Sequence, residues 1–278
     1  MLTDYHTHLR PDSPDTRADD YFTTANVDRY LEAAQRCGIS ELGFSEHVHR
    51  FRQALDVWRH PFWVENAHDD LDAYCDFVSE LKRSGRPVKL GLEVDYVPGR
   101  EQQIARLLEG RAFDYVIGSV HFISHGAVDH DGYDAWRGAT PDEVWSQYFR
   151  TLGAAAASGL YDVLAHPDLV KVWGGARPLP GGDLRRFYEL AIDDVAAADV
   201  AVEVSTAGLR KPIGELYPSA DLLRMCLDAG TPISLSSDAH EPADIGHNYP
   251  QAVRSLREAG VETISVFNGR QRRQEPIG

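Results

Sequence analysis

Short apolar, β-branched runs recur along the chain at residues 2–8, 41–47, 88–96, 114–122, 161–168, 200–206, 231–240 and 262–267. Runs this apolar are the mark of strands covered on both faces. Between them lie stretches with a 3.6-residue apolar stripe. In residues 27–38, Val27, Tyr30, Leu31 and Ala34 share one stripe, and Gly38 follows at the C-terminal cap position. Comparable helical patterns occupy 70–85, 141–159, 184–198, 219–230 and 250–260. Strand followed by helix, repeated, implies parallel strands joined by crossovers, and a (β/α) barrel fits that order best. A doubly wound open sheet is the alternative, but no Gly-rich nucleotide loop accompanies the pattern. Residues 49–68 are the least regular, with two tryptophans and several arginines, and read as a long loop of the kind that forms lids.

Composition narrows the class. The chain has 278 residues, 43% hydrophobic and 26% charged, enough to bury a sizeable core and too patterned for disorder. Barrels of about 250 residues are routinely one domain, and no composition break marks a boundary, so a single domain over 1–278 is expected. No apolar run approaches the roughly 20 residues of a membrane span. The opening MLTDYHTHLR lacks the layout of a signal peptide, so a cytoplasmic protein without a membrane partner is expected. Three widely spaced cysteines, Cys37, Cys75 and Cys226, suggest buried, reduced thiols and no zinc–thiolate site. The formal charge of −15 argues against a nucleic-acid partner, because gripping that backbone takes an excess of lysine and arginine.

The candidate chemistry lies in where the histidines fall. His8, His47, His121, His166 and His240 stand at the C-terminal ends of expected strands, and His6 precedes His8 by two. In a barrel these ends converge on one mouth, where active sites of this architecture sit. Glu93 ends one strand, Asp238 stands two before His240, and Asp4 two before His6; alternation along a strand puts 4, 6 and 8 on one side. Imidazoles and carboxylates converging without thiolates make a site for zinc, iron or manganese. An H-x-H pair alone is nearly uninformative, expected about 0.5 times by chance; an Asp at the right spacing lowers that to roughly 0.05. His49, His60, His68, His125, His130 and His247 fall in loops or polar stretches and are expected to be solvent-exposed.

The ordered set Asp4-x-His6-x-His8, SEH (His47), GLEVD (Glu93), GSVHF (His121), HPD (His166) and SDAH (Asp238, His240) resembles the PHP (polymerase and histidinol phosphatase) superfamily. Within it, residues 203–219 and the length look like the stand-alone histidinol-phosphate phosphatases. The resemblance implies a distorted (β/α)7 TIM-like barrel, with the eighth run, 262–267, outside it. It also implies two to three divalent metal ions at the mouth. One would be held by His6, His8, Glu93 and Asp238, with Glu93 bridging to a second on His121 and His166. A third would take His47, His240 and a residue after the first strand. Where many relatives have a histidine there, this chain reads LRPDSPD, so Asp12 is the expected substitute and Asp15 the runner-up. Asp4 is expected to orient a ligand imidazole.

The implied activity is hydrolysis of a small phosphate monoester, L-histidinol phosphate, in histidine biosynthesis; the alternative is a PHP phosphoesterase for another small phosphate or nucleotide. Clustered cations suit this reaction because they activate water at neutral pH and neutralise phosphoryl charge during in-line displacement. Asp238 and His240 are the expected catalytic groups, His240 serving as proton donor if it is not committed to metal. Arg210, with Lys211 beside it, is expected to hold the phosphate bidentately. Glu215 is placed to meet a cationic amine or imidazolium, and Trp58 and Trp63 either cap a heteroaromatic ligand or pack on the rim.

Overall fold

The computed structural model describes residues 1–12 and 16–278. Its parallel strands are β1 (Thr3–Asp4), β2 (Glu41–Phe44), β3 (Val88–Leu90), β4 (Glu93–Asp95) and β5 (Ile117–Ser119). An antiparallel hairpin of β6 (Phe122–Ile123) and β7 (Gly126–Ala127) follows, then β8 (Val163–Leu164), β9 (Ala201–Ser205) and β10 (Ile233–Ser236). The hairpin of β11 (Thr263–Asn268) and β12 (Gln271–Pro276) ends the chain.

Hydrogen bonding orders the parallel strands as β1-β2-β3 and β4-β5-β8-β9-β10. Parallel bridges at Thr7–Ala239 and His47–Glu93 join the two sets into a ring. The run 88–96 is one strand position broken at Gly91 and Leu92, so the ring has seven positions. The eighth run, 262–267, lies outside the ring in the antiparallel hairpin, as the distorted barrel requires.

The break and the lumen share a cause. A Cβ at Gly43 would lie 2.2 Å from the Tyr115 hydroxyl, and one at Gly91 2.3 Å from its ring, so Tyr115 presses flat on both backbones. Tyr115 donates to the Tyr5 carbonyl at 2.5 Å and packs with Tyr5, Ile117, Val163, Ala201 and Phe267 into a small core at the bottom of the barrel. The alternate positions, Leu164, Val202 and Val204, belong to the larger core shared with the helices. Period-2 alternation therefore aims Glu203, two after Ala201, at the space above the lumen core.

The helices are α1 (Ala18–Tyr21), α2 (Thr24–Arg36), α3 (Pro61–Asn66), α4 (Leu71–Arg83), α5 (Glu101–Leu108) and α6 (Pro141–Ala157). The last four are α7 (Arg185–Tyr188), α8 (Ile192–Ala197), α9 (Ala220–Asp228) and α10 (Tyr249–Glu258). Side-chain caps set several starts: Asp70 accepts from the backbone of Asp72 and Ala73 before α4, and Thr140 and Glu143 form a reciprocal capping box on α6. The helical pattern at 184–198 is two short helices, not one.

Residues 49–68 are not a loose lid. They form two 3₁₀ turns and α3, with Phe51, Ala54 and Trp63 fully buried. Cys75 and Cys226 are buried thiols as expected, whereas Cys37 is exposed. Among the described residues, no helix is long and apolar enough to cross a membrane.

Candidate metal centre

Each strand end delivers one or two donors to the same point. Glu93 stands at the middle. Its Oε2 lies 2.5 Å from His47 Nδ1, 3.3 Å from His6 Nε2 and 3.6 Å from His8 Nε2. Its Oε1 lies 3.3 Å from His166 Nε2 and 3.5 Å from His121 Nε2. Asp238 Oδ1 is 3.4 Å from His8 Nε2 and 3.6 Å from His6 Nε2. Toward solvent, His240 Nε2 is 3.4 Å from both His47 Nε2 and Asp12 Oδ1. The rings of His47 and His240 each stack on His8 with centroids 4.2 Å apart.

These atoms fall into four three-donor groups, each spanning no more than 4.8 Å: His6/His8/Asp238, His6/Glu93/His166, His47/Glu93/His121 and His8/His47/His240. All six histidines and both carboxylates expected at the mouth are thus brought together. Asp12 also reaches His240, though its side chain is two-thirds exposed and pairs with Arg50 at 3.0 Å. Asp15 lies outside the described residues.

The donor set fits divalent cations on the protein's own terms. His6 Nε2, His8 Nε2, Glu93 Oε2 and Asp238 Oδ1 are buried and, among the described residues, have no hydrogen-bond partner. Polar atoms in that condition are costly unless something electrophilic sits among them. The electrostatics agree. Burial opposes charge on Glu93 and Asp238, yet the surrounding imidazoles outweigh it and hold both carboxyls well below their usual range. Burial, helped by the charge of His240, pushes His8 down to about 3, and burial also drives His47 well below the usual imidazole value. Both rings are therefore neutral, the form in which histidine binds metal. Burial pulls down His6 and His121 as well, but adjacent carboxylates prevail and raise His6 well above 6.5 and His121 to about 10.

Three further carboxylates, Glu203, Asp95 and Glu46, are the residues the sequence reading does not single out. Glu203 Oε1 takes His6 Nδ1 at 2.8 Å and the Ser236 hydroxyl at 2.6 Å, while its other oxygen takes the His166 backbone N–H at 2.7 Å. Asp95 Oδ1 holds His121 Nδ1 at 2.7 Å. Glu46 accepts from the backbone of Leu9 and Arg10 and from Arg50, bracing the turn after His8. Asp4 does not orient an imidazole. β1 ends at Asp4, strict alternation stops there, and the Asp4 carboxylate takes the backbone N–H and hydroxyl of Ser237. His166 and Asp238 adopt φ of 23° and 52°, a left-handed backbone rare for side-chain-bearing residues and typical of constrained functional sites.

Other expectations are corrected. Arg210 does not line the cavity above the donors. Its Nη2 donates to the carbonyls of Ser237 and Asp238, its Nε faces Asp244 at 3.3 Å, and Nη1 is buried without a partner among the described residues. Lys211 lines the cavity in its place. Glu215 pairs with Lys171 at 3.2 Å and stands away from the cavity. Trp63 is core and Trp58 packs on His60, Trp63 and Phe122; the aromatic wall of the cavity includes Phe62, Phe122 and Trp173. His49 and His60 are buried, not exposed. His49 stacks on His47, and His60 caps α3 by accepting the Phe62 N–H.

Comparison with known proteins agrees with this geometry. The PHP domain matches residues 20–207. The chain is 33% identical over 261 residues to the Deinococcus radiodurans protein named "Probable histidinol-phosphatase", covering 91% of this chain and 94% of that one. It is 26% identical over 243 residues to the histidinol-phosphatase of Bacillus subtilis, covering 80% and 89%. The crystal structure of the Lactococcus lactis histidinol phosphate phosphatase, solved with zinc, L-histidinol and phosphate, shares the fold. It superposes with a TM-score of 0.76 at 22% identity and 98% coverage of both chains.

Proposed function

The chain belongs to the PHP domain family, and from that premise we propose that it is a metal-dependent phosphomonoesterase hydrolysing L-histidinol phosphate to L-histidinol and phosphate. It serves histidine biosynthesis, acts in the cytoplasm, and works as one metallophosphoesterase barrel over residues 1–278. The observation that carries the reading is the convergence on Glu93 of five imidazole nitrogens within 3.6 Å, two of them buried without hydrogen-bond partners among the described residues.

Two to three divalent ions, zinc, iron or manganese, match this mixed donor set. His6, His8, Glu93 and Asp238 would hold one and Glu93, His121 and His166 a second, with His47, His240 and Asp12 as the outer set. Such ions supply Lewis acidity, lowering the pKa of water and neutralising phosphoryl charge. The protein's own part is to hold the donors rigid and the site dry. Glu203 and Asp95 fix the His6 and His121 rings through their second nitrogens, and an imidazole so held keeps its free nitrogen on target. Arg210 pins the turn that carries Asp238 through the carbonyls of Ser237 and Asp238, and Lys211, which lines the cavity, is the cation placed to meet a phosphoryl oxygen. His240, at the rim, is the imidazole available to protonate the leaving oxygen when it is not holding a cation.

Phosphate release from histidinol phosphate, beside a panel of phosphomonoesters and nucleotides, tests this on protein whose metals are counted by elemental analysis. A strong preference for histidinol phosphate with two or three metals per chain is expected. Equal or better turnover of a nucleotide would move the substrate assignment elsewhere within the family's chemistry.

A further inference from the structure

The donors line a cavity of about 550 Å³ whose other lining residues include Phe62, Phe122, Val172 and Trp173. Among these lining residues is one carboxylate, Asp129, half-buried and, among the described residues, without a hydrogen bond or ion pair. The other cavity-lining carboxylates are engaged: Asp12 with Arg50 and His240, Asp238 with His6 and His8.

Among the described residues Asp129 is unpaired, although a cation binds its near neighbours in sequence. Three aspartates follow the β6–β7 hairpin. Arg177 takes Asp131 at 2.7 Å and Asp134 at 2.8 Å, leaving Asp129 alone. Its backbone is firmly held. The preceding Val128 donates its N–H to the His121 carbonyl at 2.8 Å, and its own carbonyl accepts the indole N–H groups of Trp136 at 3.0 Å and Trp173 at 2.7 Å. An anion presented from so fixed a position, beside the aromatic rings that line the cavity, is arranged to receive a cation from solution.

We propose that Asp129 is the specificity-determining carboxylate that receives the ammonium group of histidinol phosphate while the phosphoryl end lies on the metal-binding floor. This assignment rests on the histidinol-phosphatase reading above. Glu215, the carboxylate expected from sequence to meet the substrate cation, is committed to Lys171, and Asp129 takes that part.

The test compares L-histidinol phosphate with 3-(imidazol-4-yl)propyl phosphate, which lacks the amine, using metal-loaded wild type and the variants Asp129→Asn and Asp129→Glu. In D129N, KM for histidinol phosphate should rise about tenfold to a hundredfold, the range for losing one hydrogen bond to a charged group. The amine-free ester should be hydrolysed as by wild type, inhibition by histidinol should weaken in parallel, and D129E should lie closer to wild type than D129N. Equal losses on both esters, no change on either, or identical losses in D129E and D129N would overturn the role of Asp129 while leaving the phosphatase reading intact. A wild-type enzyme that does not turn over histidinol phosphate would remove both.

Discussion

His6 Nδ1 and Glu203 Oε1 lie 2.8 Å apart although 197 residues separate them in the chain. Glu203 thereby ties together three elements of the site, since it also accepts from Ser236 and from the backbone of His166. With its carboxylate on Nδ1, His6 turns Nε2 toward Glu93 and Asp238. Replacing Glu203 by Gln keeps the shape but puts an N–H where an acceptor is needed. Metal affinity or turnover should fall about 10- to 100-fold, the usual effect of losing such a support. Metal retained after dialysis and kcat measured on the folded variant check this; unchanged retention and rate would show that His6 needs no support.

Glu203 also shows how far the sequence could be read. The donors were legible because strand-end position and residue type coincide, from His6 and His8 to Asp238 and His240. Glu203 sits inside the run VAVEVST, where the pattern reads only as an apolar strand. The usable signal was that a lone acid in a strand covered on both faces must have a buried partner. Asp4 misled for a related reason: alternation was assumed across residues 4 to 8, but the regular strand ends at Asp4. The left-handed φ values of His166 and Asp238 are not legible locally, since the partners that hold these two backbones, Glu203 and Arg210, lie far away in sequence. Tertiary packing likewise turned residues 49–68, rich in aromatic rings, from an expected lid into a packed shoulder.

Glu93→Gln should abolish most turnover. Both Glu93 oxygens face imidazoles, so the substitution weakens two of the four donor groups at once and removes the only carboxylate common to them. A loss of about 10³-fold or more in kcat is expected, comparable to removing a principal electrostatic stabiliser. Elemental analysis should show fewer metals per chain with the circular-dichroism spectrum unchanged. A variant with near wild-type rate would sink the assignment of the centre.

Stripping metal with a chelator should abolish activity while leaving secondary structure in place. The ring of strands is closed by backbone bonds and filled by Tyr5, Tyr115 and Phe267, none of which is a metal donor. The melting temperature should nevertheless fall, because ions bound only by the native state stabilise it by a few kcal/mol (about 2.7 at a hundredfold excess over Kd). Zinc or manganese added back should restore both rate and melting temperature. Collapse to an unfolded spectrum on chelation would instead make the ions structural staples.

Gly43→Ala tests the bottom of the barrel independently of the site. The new Cβ would meet the Tyr115 hydroxyl, which is fixed by its bond to the Tyr5 carbonyl and has nowhere to turn. Overpacking of this kind costs about 1–3 kcal/mol, read as a lower urea midpoint. Because the clash is with the hydroxyl, Tyr115→Phe in the same chain should recover part of the loss. A double variant no better than the simple sum of the two single effects would remove Tyr115 as the cause.

The cysteines give a test of packing that needs no substitution. Burial pushes the thiols of Cys75 and Cys226 up to about 12, because the thiolate finds no solvation among the helices. At pH 8 the reactive thiolate fraction of each is then on the order of 10⁻⁴, and only the thiolate alkylates. Cys37 is exposed at the end of α2. Iodoacetamide at pH 8 should therefore add one carbamidomethyl group per native chain, located at Cys37 by peptide mass, and three after denaturation. Prompt labelling of Cys75 in the native protein would mean that α4 does not stay packed against β3.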